Sequence, residues 1–401
     1  MKILVINAGS SSIKYQLFDM TDNKVLCKGL CERIGIEGSA FKHKVPGQDD
    51  YKIEVPMKNH EEAIRLVINT LVSKDHGVIS SMSEIGAVGH RVLHGGEKFS
   101  GSVLIDQKVI AAIEECCELG PLHNPHNLTG IRACAEIMGD IPQVAVFDTG
   151  FHQTMPDYAY MYAIPYEYYE KYKIRRYGFH GTSHRYVSGR AAEILGRDPK
   201  DLKIVTCHLG NGSSISAIKG GKCFDTTMGV TPLEGIMMGT RCGSIDPAII
   251  PLLMEKEHMS AKDIDTMMNK KSGMLGVSQR TSDNRDIEEG VKAGDKRCQL
   301  VENMLFHQLT KYVGGFAAAM GGLDAVVFTG GIGENSPRIR SFVGHKLEFM
   351  GCRVDDEKNN CRGKEVDFAT PDSKIRLLVI PTEEELTIAK DTYEIVTALN
   401  K

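Results

Sequence analysis

The chain has 401 residues, more than one hydrophobic core ordinarily holds, so two domains are expected. Its hydrophobic fraction of 42% and charged fraction of 25% are those of a soluble globular protein, and a net charge of −4 leaves no basic footprint for nucleic acid or an anionic membrane. Eleven cysteines without a C-x-x-C pair argue for reduced thiols, not a disulfide framework or zinc site; with no apolar run of signal-peptide or transmembrane length, a cytoplasmic protein without a membrane partner is expected.

Strand patterns at 3–6 and 13–18 flank Asn7-Ala8-Gly9-Ser10-Ser11-Ser12. A helical pattern follows at 60–73, with Ala63, Leu66, Val67, Thr70 and Leu71 on one side, then a strand at 86–93. Cys116 and Cys117 fall inside an apparent helix; another helix spans 125–138, ended by Gly139, before a strand at 143–147. A second block begins near 150. It contains a helix capped by Ser183 and ended by Gly196, strands at 203–207 and 213–218, and helices near 246–258, 260–269 and 295–320. A strand at 324–328, a helix after Ser336, a strand at 376–380 and a final helix complete it. Thr382 and Glu385 read as a capping box for that helix, and Leu386, Ala389, Tyr393, Val396 and Leu399 give it one apolar side. The pattern predicts an α/β fold with a domain at 1–150, completed by the helix 383–401 crossing back, and a second domain at 151–382.

Three glycine loops follow strands. Aligning Asn7 with His208 sets Gly9 on Gly210 and Ser12 on Ser213, so the first loop matches His208-Leu209-Gly210-Asn211-Gly212-Ser213-Ser214. Strand, small-residue turn and returning strand make a donor-rich cradle for phosphate oxygens, and its recurrence half a chain apart suggests two similar domains serving one nucleotide. The third loop is Gly330-Gly331-Ile332-Gly333-Glu334-Asn335, between a strand and a helix. It is neither a G-x-G-x-x-G fingerprint nor a Walker A loop, and the chain lacks the H-R-D and D-F-G elements of protein kinases. Two phosphate hairpins and a later glycine loop point to the actin, sugar-kinase and heat-shock-chaperone architecture: two ribonuclease-H-like mixed sheets flanked by helices around a central cleft.

At motif level the chain resembles the acetate kinase family along its whole length. The resemblance rests on Asn7 to Lys14, Gly89-His-Arg91, Pro121-Leu122-His123-Asn-Pro125, Phe147-Asp148-Thr-Gly-Phe-His-Gln-Thr154 and Tyr177-Gly-Phe179-His180-Gly-Thr-Ser-His184. It continues through His208 to Gly212, Met238-Gly-Thr-Arg241-Cys-Gly-Ser-Ile-Asp-Pro247, Phe328 to Asn335 and Pro381-Thr-Glu-Glu384. That family transfers the γ-phosphoryl group of ATP to acetate by direct in-line displacement, giving acetyl phosphate and ADP. It uses Mg²⁺, with Mn²⁺ able to substitute, and is homodimeric.

The resemblance implies catalytic roles for Arg91, Asp148, His180 and Arg241, and an acyl site of Arg91, Leu93, Leu122, His123, Phe179 and Pro232. It implies nucleotide contacts from Ser10, Ser12, Lys14, His208, Leu209, Gly210, Asn211, Gly212, Asp283, Asn284, Arg285, Gly331, Ile332, Gly333, Glu334 and Asn335, and a metal site of Asn7 and Glu384. These residue types suit the chemistry, because phosphoryl transfer needs positioning and charge neutralisation, and guanidinium offers a planar fork to carboxylate and phosphoryl oxygens. Acetate is already ionised at neutral pH, so Asp148 is expected to help hold Mg²⁺, directly or through water, instead of acting as a base. The spacing His180-x-x-x-His184 could also suggest a metal pair, but no H-E-x-x-H pattern or third ligand accompanies it. Leu93, two residues beyond Arg91 in a strand pattern, is expected to share its side and wall the methyl pocket. Gly150 and Gly330 stand where the family commonly has Ala, read as a small change, and Glu383 replaces the more usual Asn. Propionate or butyrate as acceptor, and a non-enzymatic nucleotide-dependent assembly protein of the same architecture, are the competing readings; paired arginines argue against the latter.

Overall fold

The structure is a computed structural model that describes residues 1–399, so the last two residues of the expected C-terminal helix lie outside the described residues. Contacts divide the chain into two compact units, one formed by Met1–Gln153 with the segment from Glu383 onward, the other by Thr154–Thr382.

The first unit is built on an eight-stranded sheet. Its strands are β1 (Lys2–Ala8), β2 (Ser12–Asp19), β3 (Lys24–Glu32), β4 (Ala40–Lys44), β5 (Tyr51–Glu54), β6 (Ile85–Val92), β7 (Val103–Leu104) and β8 (Gln143–Phe147), in the order β5-β4-β3-β2-β1-β6-β8-β7. β1 pairs antiparallel with β2 and parallel with β6, which is parallel to β8. Ile3, Leu4, Val5 and Ile6 are all buried, as a strand covered on both sides must be. Leu4 and Ile6 pack with Ala63, Ile64 and Val67 of helix His60–Leu71. Ile3 and Val5 pack with Ile388, Ala389 and Val396 of the C-terminal helix Glu384–Leu399. Burying each such side chain contributes about 1.5–3 kcal/mol, enough to hold a terminal helix onto the sheet. Strands β3 to β5 carry no unbroken apolar run: Lys28, Lys42 and Lys44 alternate with Cys27, Cys31, Phe41 and His43, which pack inward or lie buried.

The second unit repeats the plan with β9 (Lys203–Leu209), β10 (Ser213–Lys219), β11 (Lys222–Thr226), β12 (Ala325–Thr329), β13 (Val366–Asp367) and β14 (Arg376–Val379), ordered β11-β10-β9-β12-β14-β13. β9 pairs antiparallel with β10 and parallel with β12, which is parallel to β14, so β11-β10-β9-β12-β14 reproduces β3-β2-β1-β6-β8. Its core joins Val205 and Cys207 to Leu305, Leu309 and Val313 of helix Lys296–Met320, which Asp295 caps at one end and Gly321 ends at φ 74°. Among the described residues no helix is long and apolar enough to cross a membrane, and all eleven cysteines are free.

Several local expectations are corrected. Ser183 does not cap its helix, which runs Gly181–Leu195 from His180, itself at φ 56°. Thr382 does not form a capping box, because the last helix starts at Glu384 and the Thr382 hydroxyl donates to Ser183 Oγ at 2.8 Å. Gly330–Asn335 is a short helix, not a loop. Cys116 and Cys117 follow helix Gln107–Glu115 and lie in a turn.

Candidate active site

In the first unit the turn between β1 and β2 is closed by the Gly9 N–H donating to Ser12 O at 2.8 Å, with Ser10 exposed and Ser12 half-buried. Asn127 Nδ2 donates to Ala8 O at 2.8 Å, and His60 Nε2 lies 2.6 Å from Gly9 O, so buried side chains hold the turn from behind. Asn7 and Lys14 are cross-strand partners and therefore lie on one side of the sheet.

β6 delivers Arg91 and the end of β8 delivers Asp148. Arg91 Nε donates to Asp148 Oδ1 at 2.9 Å and Nη2 to Oδ2 at 2.7 Å, while the Asp148 N–H donates to Val92 O. The aspartate charge raises the Arg91 pKa further, so the guanidinium is permanently charged. Asp148 takes only the Nε–Nη2 edge of the fork, leaving the Nη1–Nη2 edge for a second anion, and the Arg91 side chain is 24% exposed against 2% for Asp148. Both Asp148 oxygens accept from Arg91, so the aspartate orients that side chain.

Glu384, in the first turn of the C-terminal helix, has its pKa raised by burial; Arg91 opposes the shift, the Asp148 charge adds to it, and Lys14 opposes it. Among the described residues no group of three or more His, Cys, Asp or Glu side chains is disposed to hold a metal alone. A Mg²⁺ ion fits this donor set, since it takes one or two protein ligands and completes its octahedron with water and substrate phosphate oxygens.

Leu93 lies one residue beyond β6, which ends at Val92, so the strand-alternation argument for it does not hold. It is buried all the same, and its N–H donates to Asn127 Oδ1 at 3.0 Å. Asn124 brackets His94, accepting from its N–H and donating to its carbonyl. The sequence reading quoted Asn124 only as part of a motif and missed Asn127, which no local pattern marks because its partners at Ala8 and Leu93 lie far off in the chain. Leu122 is half-exposed just before that helix, and His123 occupies its N-cap.

In the second unit the β9–β10 hairpin pairs Leu209 with Ser213, whereas the first hairpin pairs Ala8 with Ile13, so the second turn is tighter by one residue than the sequence alignment implies. His180 precedes its helix in a left-handed conformation that a non-glycine residue rarely adopts without a constraint. Its Nδ1 lies 2.9 Å from Ser214 Oγ, its ring stacks on His208 at 4.2 Å between centroids, and His184 bridges Ser214 Oγ and Thr206 Oγ1. His184 is thereby a buried partner in this network. A Cβ on Gly212 would stand 3.5 Å from both His180 Nε2 and Arg241 Nη2, so imidazole and guanidinium converge on the hairpin turn. Arg241 donates from Nη1 to Pro232 O at 2.7 Å; burial lowers its pKa, and among the described residues no carboxylate pairs with it. Phe179, beside His180, is buried.

Next to this point lies a cavity of about 650 Å³ lined by Gly210, Asn211, Asp283, Asn284, Arg285, Gly331, Ile332 and Asn335, together with Ser282, Glu288, Ser336 and Arg362, which the sequence did not single out. Its size suits a nucleoside phosphate. His208, Leu209, Gly333 and Glu334 do not line it. His208 Nδ1 meets Ser183 Oγ, and Glu334 Oε1 accepts from the Gly330 and Thr382 N–H groups. Gly330 sits at φ 76°, where a Cβ would come within 2.7 Å of Leu209 O, so alanine is not a small change in this backbone. Arg340 went unnoticed because an isolated Arg normally reads as surface charge. Here it is fully buried and donates to the carbonyls of Gly333, Glu334, Asn359 and Cys361 and to Asn359 Oδ1, tying the Gly330–Asn335 helix to the segment that carries Arg362.

Residues 2–390 match the Acetokinase family. The acetate kinase of Thermoanaerobacterium thermosaccharolyticum is 60% identical over 400 residues, covering all of both chains, and that of Clostridioides difficile is 57% identical over 99% of this chain and all of its own. Among solved structures, Porphyromonas gingivalis acetate kinase superposes with a TM-score of 0.96 at 50% identity, over 98% of this chain and 99% of that one. A propionate kinase from Francisella tularensis gives 0.92 at 41% identity over the same shares. The chain belongs to the acetokinase family.

Proposed function

We propose that the protein is an ATP-dependent phosphotransferase that moves the γ-phosphoryl group reversibly between ATP and acetate, by in-line displacement, giving acetyl phosphate and ADP. One observation carries the reading: the turn that offers Gly210 and Asn211 to a nucleotide-sized cavity also offers Gly212 to Arg241 and His180. A nucleotide in that cavity would direct its terminal phosphoryl group toward a half-buried guanidinium and an imidazole, which neutralise the charge spread over its equatorial oxygens. The open edge of Arg91, oriented by Asp148, is assigned to the acetate carboxylate, with Leu93, Leu122, His123, Phe179 and Pro232 assigned to the acyl site. Because acetate arrives ionised, no general base is needed. Glu384, with Asn7 alongside, is assigned to Mg²⁺, which supplies charge neutralisation to the phosphates when bound, and Lys14 to the nucleotide. The full-length likeness to proteins named acetate kinase supports acetate as acceptor, while the likeness to a propionate kinase keeps a longer acyl chain as the second reading.

A homodimer accounts for the apolar side chains left open on helix Ile249–Lys256, where Leu252 is 51% exposed. Eleven free cysteines suit a cytoplasmic location. A coupled assay for ADP formation, run with acetate, propionate and butyrate, tests the whole reading. Absence of acetate-dependent ADP overturns it, and faster turnover with propionate moves it to the second reading.

A further inference from the structure

Arg241 is oriented by the Pro232 carbonyl, and that carbonyl belongs to a segment, 227–236, with no regular secondary structure. Such a segment needs side chains to hold its shape. Glu234, two residues beyond Pro232, accepts from Arg176 Nη2 at 2.8 Å and from the Tyr162 hydroxyl. Arg176 Nη1 also donates to the carbonyl of Thr226, the last residue of β11, so one guanidinium clamps both ends of the segment. The segment is pinned again in its middle, where the Gly229 carbonyl accepts from the N–H groups of Tyr177 at 3.0 Å and Gly178 at 3.4 Å. A Cβ on Gly229 would overlap the Glu234 carboxylate and the Tyr162 hydroxyl, so the ion network packs directly against the backbone it supports. Arg176 and Glu234 are 20% and 31% exposed, sheltered enough for their pair to resist screening by salt.

We propose that Glu234, held by Arg176 and Tyr162, is a positioning residue for phosphoryl transfer: it fixes segment 227–236 so that Pro232 O aims the Arg241 guanidinium. The proposal rests on Arg241 acting on the transferring phosphoryl group. A long side chain anchored by one carbonyl points reproducibly only if that carbonyl is itself held, and a displacement of about 1 Å at a reacting centre can cost about 10²-fold in rate.

The test is a double-mutant cycle on the full chain, with kcat for ADP formation from ATP and acetate, the dissociation constant for ADP and the melting temperature measured for each variant. Glu234→Gln keeps the side-chain volume and removes the charge; it is expected to lower kcat by about tenfold or more while ADP affinity stays within about twofold. In an Arg241→Ala background the same substitution is expected to cost less than about threefold, because the group it positions is gone. Equal losses in both backgrounds, an unchanged kcat, or a fall in ADP affinity matching the fall in kcat overturns the proposal. If Glu234→Gln does not fold, Tyr162→Phe is carried through the same cycle and judged by the same outcomes. Turnover of the unmodified chain with acetate is the separate control for the proposed function.

Discussion

Arg91 and Arg241 are one side-chain type in two electrostatic settings. Arg91 is neutralised along one edge by Asp148, whereas Arg241 is held by a carbonyl and keeps its full charge in a half-buried place. Removing them should therefore have different consequences. Arg241→Ala is expected to lower kcat by about 10²–10³-fold, the usual loss for one preorganised donor, with little change in melting temperature or ADP affinity. Arg91→Ala should also unfold more easily, by about 3–5 kcal/mol, because it strands the buried Asp148 carboxylate. Urea unfolding of the two variants side by side checks this, and equal stabilities would contradict it. The acidic triplet at the start of the last helix gives a second contrast. Glu384 is sheltered, with a pKa raised by burial, whereas Glu383 is exposed, so Glu384→Ala should increase the Mg²⁺ concentration needed for half-maximal rate by roughly tenfold or more, and Glu383→Ala or Glu385→Ala much less. A greater effect from Glu383→Ala in the same titration would assign the metal to the wrong member of the triplet. Such residues were readable as candidates from motif and spacing. Their partners were not, since Asp148 meets Arg91 across 57 residues of chain and nothing local specifies that pair.

Elements carry the next set of consequences. β6 contains His90, buried with its Nε2 2.6 Å from the Gln143 amide, and burial lowers its pKa from 6.5 to about 4. The folded state therefore holds a neutral ring, and the stability this gives is present above pH 6.5 and lost as pH falls toward 4. Integrated over that window the loss is about 3 kcal/mol. Urea unfolding between pH 7 and pH 4 should show it, and His90→Gln should flatten the slope by one proton. In the second unit, Arg340 joins a short helix to the segment 359–362 through backbone carbonyls. Arg340→Met fills similar space but strands those acceptors, so it should cost about 3–5 kcal/mol and weaken ADP binding, measured by urea unfolding and titration calorimetry. A stable variant with normal ADP affinity would show that helix and segment hold each other without it. The two hairpin turns were legible because glycine and serine mark such turns wherever they occur. Their one-residue difference in register was not, because register follows from which side of each strand is buried. Strands β3 to β5 escaped notice for a related reason: lysines alternate with their inward residues, and only the sheet they extend gives them a buried side.

At the scale of the whole molecule, helix Ile249–Lys256 leaves Ile249, Leu252 and Met254 open, the surface assigned above to the proposed dimer. If the proposed dimer forms through this helix, the unmodified chain runs as a dimer in light scattering coupled to size-exclusion chromatography and Leu252→Glu as a monomer; a monomeric unmodified chain would remove the dimer from the reading. The sequence by itself determined the α/β class, the duplicated glycine hairpins and the family, because these depend on local periodicity, turn chemistry and motifs spread along the whole chain. It also marked Arg91, Arg241, His180 and Glu384 as candidates. Tertiary structure alone decided what those side chains touch: Asp148 as the orienting partner of Arg91, Pro232 as the tether of Arg241, Ser214 and His208 around His180, and Arg340 as a buried tie and not a surface charge. Each of these depends on groups far apart in the chain meeting at hydrogen-bond distance. Only the packed fold supplies such meetings, since an unpaired polar group inside it would cost about 1–3 kcal/mol.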